Sequence, residues 1–167
     1  LDARAKFYVE KTLQDYKLAG VDKDEETRAK LADLNKQLVK SGQAFDKNIR
    51  DDRKTVQFTA EQLAGLPEDF MAAHQPDENG MITISTDYTD YFPVMTYAKS
   101  EETRKAISKV FTARAYPANA QVFKDLLKER SQIAKLTGFE NWAAYNASDK
   151  MAKDTATGRN VCIKRWE

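Results

Sequence analysis

The chain contains one histidine, His74, and one cysteine, Cys162, and these two residues limit its catalytic chemistry. His74 follows a short helical pattern, where an imidazolium would complement the helix dipole, so a surface position without function is the better interpretation. Cys162 lacks the strand-turn-helix context of an activated nucleophile, so a plain buried or terminal thiol is the better interpretation. A single histidine excludes a His-Glu-x-x-His zinc site within these residues. A Cys-His or Ser-His arrangement remains possible with one histidine, but we predict no catalytic residue and no metal ligand in this chain.

Three of the chain's groups of neighbouring carboxylates are candidates for acid–base chemistry, but their spacing favours structural roles. General acid–base chemistry needs paired carboxylates whose burial separates their pKa values. Adjacent acids on a strand face opposite sides, and acids in the first turn of a helix stabilise its positive end. The three groups are Asp51 with Asp52, Asp87 with Asp90, and Glu101 with Glu102.

Three aromatic residues, Tyr88, Tyr91 and Phe92, crowd a stretch that has the composition of a loop. Aromatic area in a loop is either packed inside it or used to contact a ligand. Packing is the more common outcome, but these residues are the chain's candidates for contact with a peptide or a protein partner.

The charge and composition exclude several classes of function. The chain has 27 Lys and Arg residues against 26 Asp and Glu residues, a net charge of +1, which does not suit binding to nucleic acid or to an anionic membrane. No apolar run approaches the roughly 20 residues of a membrane-spanning helix, and the six glycines form no phosphate-binding loop. One cysteine cannot form an internal disulfide, so we predict a reducing compartment, the cytoplasm, with the periplasm or mitochondrion as alternatives.

Residues 1–53 are predicted to form a long αα-hairpin. Gly20 is typical of the position just past a helix end, and an aspartate in residues 21–26 is available to cap the next helix. Apolar residues then recur at helical spacing from Leu31 to Ile49. The short loop between the two helices favours antiparallel packing.

Residues 54–99 are predicted to hold short helices and a small β element. Thr59 and Gln62 form a capping-box pattern, and Pro67 suits the start of a short helix over Glu68 to His74. The sequence predicts a two- or three-stranded sheet whose candidate strands are 54–58, 81–86 and 94–97.

Residues 100–158 are predicted to form a helical group, followed by a tail at 159–167. Ser100 suits the N-cap of a helix that breaks at Tyr116-Pro117, and Gly138 ends the next helix. One helix or two short ones follow near Trp142. The predicted fold class is therefore mainly α, with a long αα-hairpin and a helical group around a small β element.

Several stretches, in this order along the chain, resemble the zinc oligopeptidases of peptidase family M3, the thimet oligopeptidase-like and neurolysin-like enzymes. The match runs from about residue 20 to 161, and its stretches are 44–49, 63–70, 80–84, 91–95, 102–104, 126–143 and 150–152. No single stretch is diagnostic, but the shared order is specific. The stretch after residue 153 departs from the family pattern.

The resemblance implies a neurolysin-like N-terminal region and a non-catalytic fragment of an enzyme that cleaves short peptides. The family's zinc ligands and catalytic glutamate match no position in this chain, so the resemblance implies zinc only in the intact enzyme. In that enzyme such helices would form part of the wall of a channel. The alternative is a standalone helical module that binds a peptide or protein without catalysis.

The fragment hypothesis also predicts self-association. If 110–111, 126–127 and 133–136 normally pack partly on the catalytic region, an isolated chain exposes apolar faces there. We then expect either a second copy of the chain to cover these faces or a loosely packed monomer that binds a hydrophobic dye.

Overall fold

A computed structural model describes residues 2–164, with side chains described for 2–163. The fold is 65% helical, and within the described range it has eight helices and one two-stranded sheet. The mainly α prediction with a small β element is therefore confirmed. In chain order the elements are α1 (Ala3–Leu18), α2 (Glu25–Asp51), β1 (Thr55–Thr59), α3 (Glu68–Ala73), β2 (Met81–Ser85), α4 (Tyr88–Tyr97), α5 (Glu101–Thr112), α6 (Ala118–Thr137), α7 (Trp142–Ala147) and α8 (Thr155–Lys164).

The described residues form two compact units. Residues 2–44 and 121–164 make up the terminal unit, and residues 45–120 make up the central unit. The four-part division into 1–53, 54–99, 100–158 and 159–167 stays a prediction, as does antiparallel packing of α1 on α2. Helix α8 includes residues 159–164 of the predicted tail, whose last three residues lie outside the described range.

Local capping signals hold in the structure. Asp24 Oδ1 accepts a hydrogen bond from the Thr27 N–H at 2.8 Å before α2, and Ser100 Oγ accepts one from Thr103 at 3.2 Å before α5. These bonds satisfy N–H groups that the helix itself leaves unpaired. The Thr59 and Gln62 side chains each accept a bond from the other residue's N–H, the predicted capping box.

The core of the central unit forms where α4 and α5 pack on the sheet. Strands β1 and β2 are antiparallel, with Phe58 opposite Ile82, and both side chains are buried. Gly65 follows the capping box at a φ of +104°, where a Cβ would overlap the Tyr97 carbonyl oxygen. The buried apolar residues of this core are Phe58, Leu63, Ile82, Ile84, Val94, Ala98 and Ile107.

The predicted third strand is wrong. Residues 94–97 form the last part of α4, and the loop predicted around Tyr88 is its first part. Val94 is fully buried in the core, so helical spacing brings Tyr91 and Val94 to the same apolar face. Packing therefore outweighs the strand preference of aromatic and β-branched residues and the loss of one hydrogen bond at Pro93.

Candidate peptide-binding surface

Four aromatic rings of the central unit form one cluster, which we call the aromatic cluster: Tyr88, Tyr91 and Phe92 on α4, and Phe111 on α5. The rings of Tyr88 and Phe92 are stacked with centroids 5.5 Å apart, and those of Tyr91 and Phe111 are stacked at 3.6 Å. Tyr88 and Phe92 are one helical turn apart, so α4 places both rings on one side. The cluster thus joins α4 to α5.

The three candidate contact residues differ in their exposure. Tyr88 and Phe92 are 59% and 55% exposed, whereas Tyr91 is half-buried and packs against the core. Tyr91 therefore serves mainly to pack the helix. A contact role for Tyr88 and Phe92 stays a prediction.

Arg114 lies against the aromatic cluster just after α5. Its guanidinium carbon is 3.8 Å from the Phe111 ring centroid and 5.6 Å from that of Tyr88. Its Nε donates to the Phe111 carbonyl and its Nη1 to the buried Thr86 carbonyl, each at 3.1 Å. These bonds fix the guanidinium plane beside the rings, where a cation is attracted to the π face.

A cleft of about 400 Å³ opens beside Tyr88 within the central unit, and we call it the arginine cleft. Arg53 Nε pairs with Asp87 Oδ2 at 2.7 Å at this cleft. Its lining side chains include three guanidinium groups and two carboxylates, which leave a net positive charge. The lining residues are Asp46, Ile49, Arg50, Arg53, Asp87, Tyr88 and Arg114.

Sequence reasoning singled out Tyr88 but missed the arginines beside it. Arg50 and Arg53 lie at and just past the end of α2, and Arg114 just past the end of α5. Basic residues are common at helix ends because they complement the helix dipole, so these arginines alone do not indicate a binding cleft. Only the tertiary fold brings the two ends together with Tyr88.

His74 is not the surface residue that its sequence position indicated. Its side chain is 19% exposed, its ring stacks on Phe70, and its Nε2 lies 3.3 Å from Asp90 Oδ1. Its Nδ1 lies 2.8 Å from the Phe70 carbonyl oxygen. Both ring nitrogens face oxygen atoms, so both contacts are hydrogen bonds when the ring carries two protons.

Asp90 links His74 to Ser85 at the end of β2. Its Oδ2 accepts hydrogen bonds from the Ser85 O–H at 2.6 Å and the Ser85 N–H at 3.0 Å. Burial disfavours the charge of Asp90, but these bonds and the His74 ring outweigh it, so the pKa of Asp90 lies below its ordinary value. A nucleophile needs its base beside the hydroxyl, whereas here the carboxylate separates Ser85 from His74. The three residues hold α3, β2 and α4 together.

The other carboxylate groups have structural roles, as their spacing predicted. Asp52 Oδ2 accepts a bond from the Ala115 N–H at 2.6 Å and pairs with Lys54 at 3.1 Å. These contacts, the Ala115 bond above all, lower the pKa of Asp52. Glu101 pairs with Lys105 one turn along α5, and the Ser100 O–H donates to Glu102.

The described residues contain no cluster of metal-ligating side chains. Among residues 2–164, no three His, Cys, Asp or Glu side chains come together in a way that could hold one. Cys162 is exposed on α8. In the same range, no helix is both long and apolar enough to cross a membrane.

Comparison with known proteins identifies relatives of this chain. The model of peptidase family M3 matches residues 94–164. The chain is 35% identical to saccharolysin of Saccharomyces cerevisiae over 161 residues, and 33% identical to thimet-like oligopeptidase of Dictyostelium discoideum over 148 residues. It is 28% identical to oligopeptidase A of Escherichia coli over 172 aligned positions.

These matches cover most of this chain but a small part of each relative. They include 92%, 87% and 92% of the chain, and 22%, 22% and 25% of the three relatives. The family match starts inside α4 and continues into α8, so it includes α5, α6 and α7. The relatives extend the similarity to the first helices. The family match and the relatives together support an oligopeptidase fragment of peptidase family M3.

Proposed function

We propose that this chain is a non-catalytic part of a zinc-dependent oligopeptidase and that its helices form part of the wall of a channel for short peptides. The similarity to saccharolysin and oligopeptidase A over 92% of the chain carries the proposal. The exposed rings of Tyr88 and Phe92 support it, because aromatic faces suit contact with peptides. The proposed compartment is the cytoplasm.

The zinc ion and the catalytic residues belong, in this proposal, to another part of the intact enzyme. The chain has one histidine, so the family's two-histidine motif has no counterpart in its 167 residues. In this proposal the chain contributes a stable wall that limits which peptides reach the catalytic site. The wall also helps to orient a bound peptide, and correct orientation accounts for much of an enzyme's rate enhancement.

A peptidase assay on the purified chain tests the first half of the proposal. With added zinc and a quenched short peptide, we expect no turnover above the buffer rate. Turnover that a chelator abolishes, at a rate proportional to the chain's concentration, would contradict the non-catalytic role.

A chimera tests the second half. The segment of saccharolysin that aligns with this chain is replaced by the chain's own residues, and saccharolysin lacking the segment is the control. We expect the chimera to cleave short peptides in a chelator-sensitive manner and the control to be inactive. A folded, zinc-loaded chimera without turnover argues against a shared role.

The second candidate function is a standalone helical module that binds a peptide or protein. The arginine cleft supports it as well as the first candidate, because a cleft with exposed charges and an exposed ring can bind a ligand without catalysis. Sequencing the genomic locus downstream separates the two: an open frame encoding His-Glu-x-x-His contradicts the standalone module.

A further inference from the structure

We propose that the arginine cleft binds a peptide carboxylate, with an apolar side chain of the same peptide placed on the Tyr88 and Phe92 rings. This inference deepens the proposed function, on which it rests, by naming a ligand class for the central unit. The residues to which the proposal assigns binding all lie in 45–120.

The first argument is the state of the three guanidinium groups. Arg53 is held by Asp87 at 2.7 Å, and two donors of Arg114 are occupied by backbone carbonyls. Arg50 is exposed and forms no ion pair or hydrogen bond with the residues that the structure describes. Arg50 is therefore the group that a ligand's carboxylate would engage first, since it gives up no ion pair or hydrogen bond, although its charge also acts on Asp51.

The second argument is the charge of the cleft. Asp87 neutralises Arg53, but Arg50 and Arg114 together exceed the remaining carboxylate of Asp46. Bidentate pairing with a planar guanidinium suits a carboxylate, whereas a peptide ammonium group would meet repulsion from Arg50 and Arg114. The cleft therefore favours the anionic group of a peptide.

The third argument is the apolar surface next to the charges. Tyr88 lines the cleft and also stacks on Phe92, so one wall continues from the guanidinium groups onto two exposed rings. Arg114 beneath Tyr88 and Phe111 holds this wall in place. A volume of about 400 Å³ suits one or two side chains of a peptide, and not a folded domain.

Three labelled peptides identify the source of the carboxylate. All share an Ala-Ala-X-Phe-Ala core with an N-terminal fluorophore: the first has Glu at X and an amidated end, the second Gln and an amidated end, and the third Gln and a free end. Fluorescence anisotropy measures their binding to the full chain without zinc. We expect the first or the third peptide to bind at least ~tenfold more tightly than the second, because a charged hydrogen bond has about this effect.

Variants of the chain test the assigned residues. Arg50→Gln should weaken binding of the tighter-binding peptide by ~tenfold, and Tyr88→Ala should weaken it by a few-fold. Lys36→Gln makes an equal charge change at an exposed α2 residue outside the cleft and should leave binding unchanged. Circular dichroism confirms that each variant is folded. Equal binding of all three peptides, no binding of any, or equal weakening by R50Q and K36Q would overturn the proposal. These readouts need no turnover, so failure here is distinct from an inactive chimera.

Discussion

The core of the central unit and helix α1 of the terminal unit bury their apolar residues to very different extents. In the central unit the sheet and its helices enclose a core whose seven apolar residues are each at most 4% exposed. In the terminal unit α1 buries no residue, and Phe7, Tyr8 and Tyr16 are each more than half exposed. The difference indicates that the central unit supplies its own stability, whereas α1 keeps apolar area available for another surface.

A core substitution in the central unit should have the largest effect on stability. Ile107 is fully buried against the sheet, so Ile107→Ala removes apolar contacts and leaves a cavity, at a cost of about 2–5 kcal/mol in the free energy of unfolding. Val39→Ala on α2, at a 59% exposed residue, should cost at most about 0.5 kcal/mol.

Native-state hydrogen exchange checks this prediction unit by unit. With Ile107→Ala, we expect the amides of β1, β2, α4 and α5 to lose protection, while those of α6 lose less. Equal loss in both units would show that the two share one cooperative transition and would weaken the comparison.

Removing the charge of Asp90 should have the next largest effect. Asp90→Asn weakens two hydrogen bonds from Ser85 and the contact with His74. This should lower the free energy of unfolding by about 1–2 kcal/mol at pH 7. Because the folded state lowers the pKa of Asp90, its stabilisation is complete above the unfolded pKa of about 3.9 and is lost as pH falls through the folded value.

Urea unfolding between pH 7 and pH 2 measures this dependence. The difference between the original chain and Asp90→Asn should shrink steadily below about pH 4. Asp33→Asn, at an exposed carboxylate of α2, is the matched control and should show little difference at any pH. If the difference in stability persists at pH 2, the stabilising effect of Asp90 does not depend on its charge.

Loss of a helix cap should have a smaller effect. Ser100→Ala removes the acceptor for the Thr103 N–H at the start of α5, at a cost of about 1 kcal/mol. Ser108→Ala, inside the same helix, should be neutral or slightly stabilising because alanine has the higher helix propensity. Thermal unfolding followed by circular dichroism compares the pair, and equal shifts would contradict a capping role.

The sequence predicted the elements better than it predicted the surface. Caps and stops depend on near neighbours, so Ser100, the capping box at Thr59 and the end of α6 before Gly138 could be predicted. Helix α4 could not be predicted because its residues prefer strands locally. The helix is stabilised by the burial of Val94 in the core, which depends on the tertiary fold.

The candidate site shows the same division between local and distant determinants. Tyr88 and Phe92 could be singled out because aromatic residues crowd a stretch that has the composition of a loop. Arg50 and Arg114, in contrast, are 64 positions apart in the numbering and meet only in the fold. His74 and Asp90 likewise come from different elements, so neither residue's partner could be predicted. Pairings between distant helix ends depend on tertiary packing, which a helical period does not encode.

The smallest effect on stability, and the sharpest test of the terminal unit, is expected on α1. The sequence predicts self-association through 110–111, 126–127 and 133–136, but Leu126 and Ile133 are buried and Leu127 is 49% exposed, whereas α1 buries no residue. Covering some 500 Å² of such surface would stabilise a dimer by about 10 kcal/mol before the entropy of association is subtracted.

Leu13→Gln on α1 should change the free energy of unfolding by at most about 0.5 kcal/mol, because this side chain is already 54% exposed. The same substitution should weaken dimerisation and reduce binding of a hydrophobic dye, whereas Glu10→Gln on the same helix should alter neither. Sedimentation velocity over a hundredfold concentration range measures the association. A chain that stays monomeric throughout and binds no dye would show that the exposed face of α1 needs no partner, and the contrast between the two units would then concern stability alone.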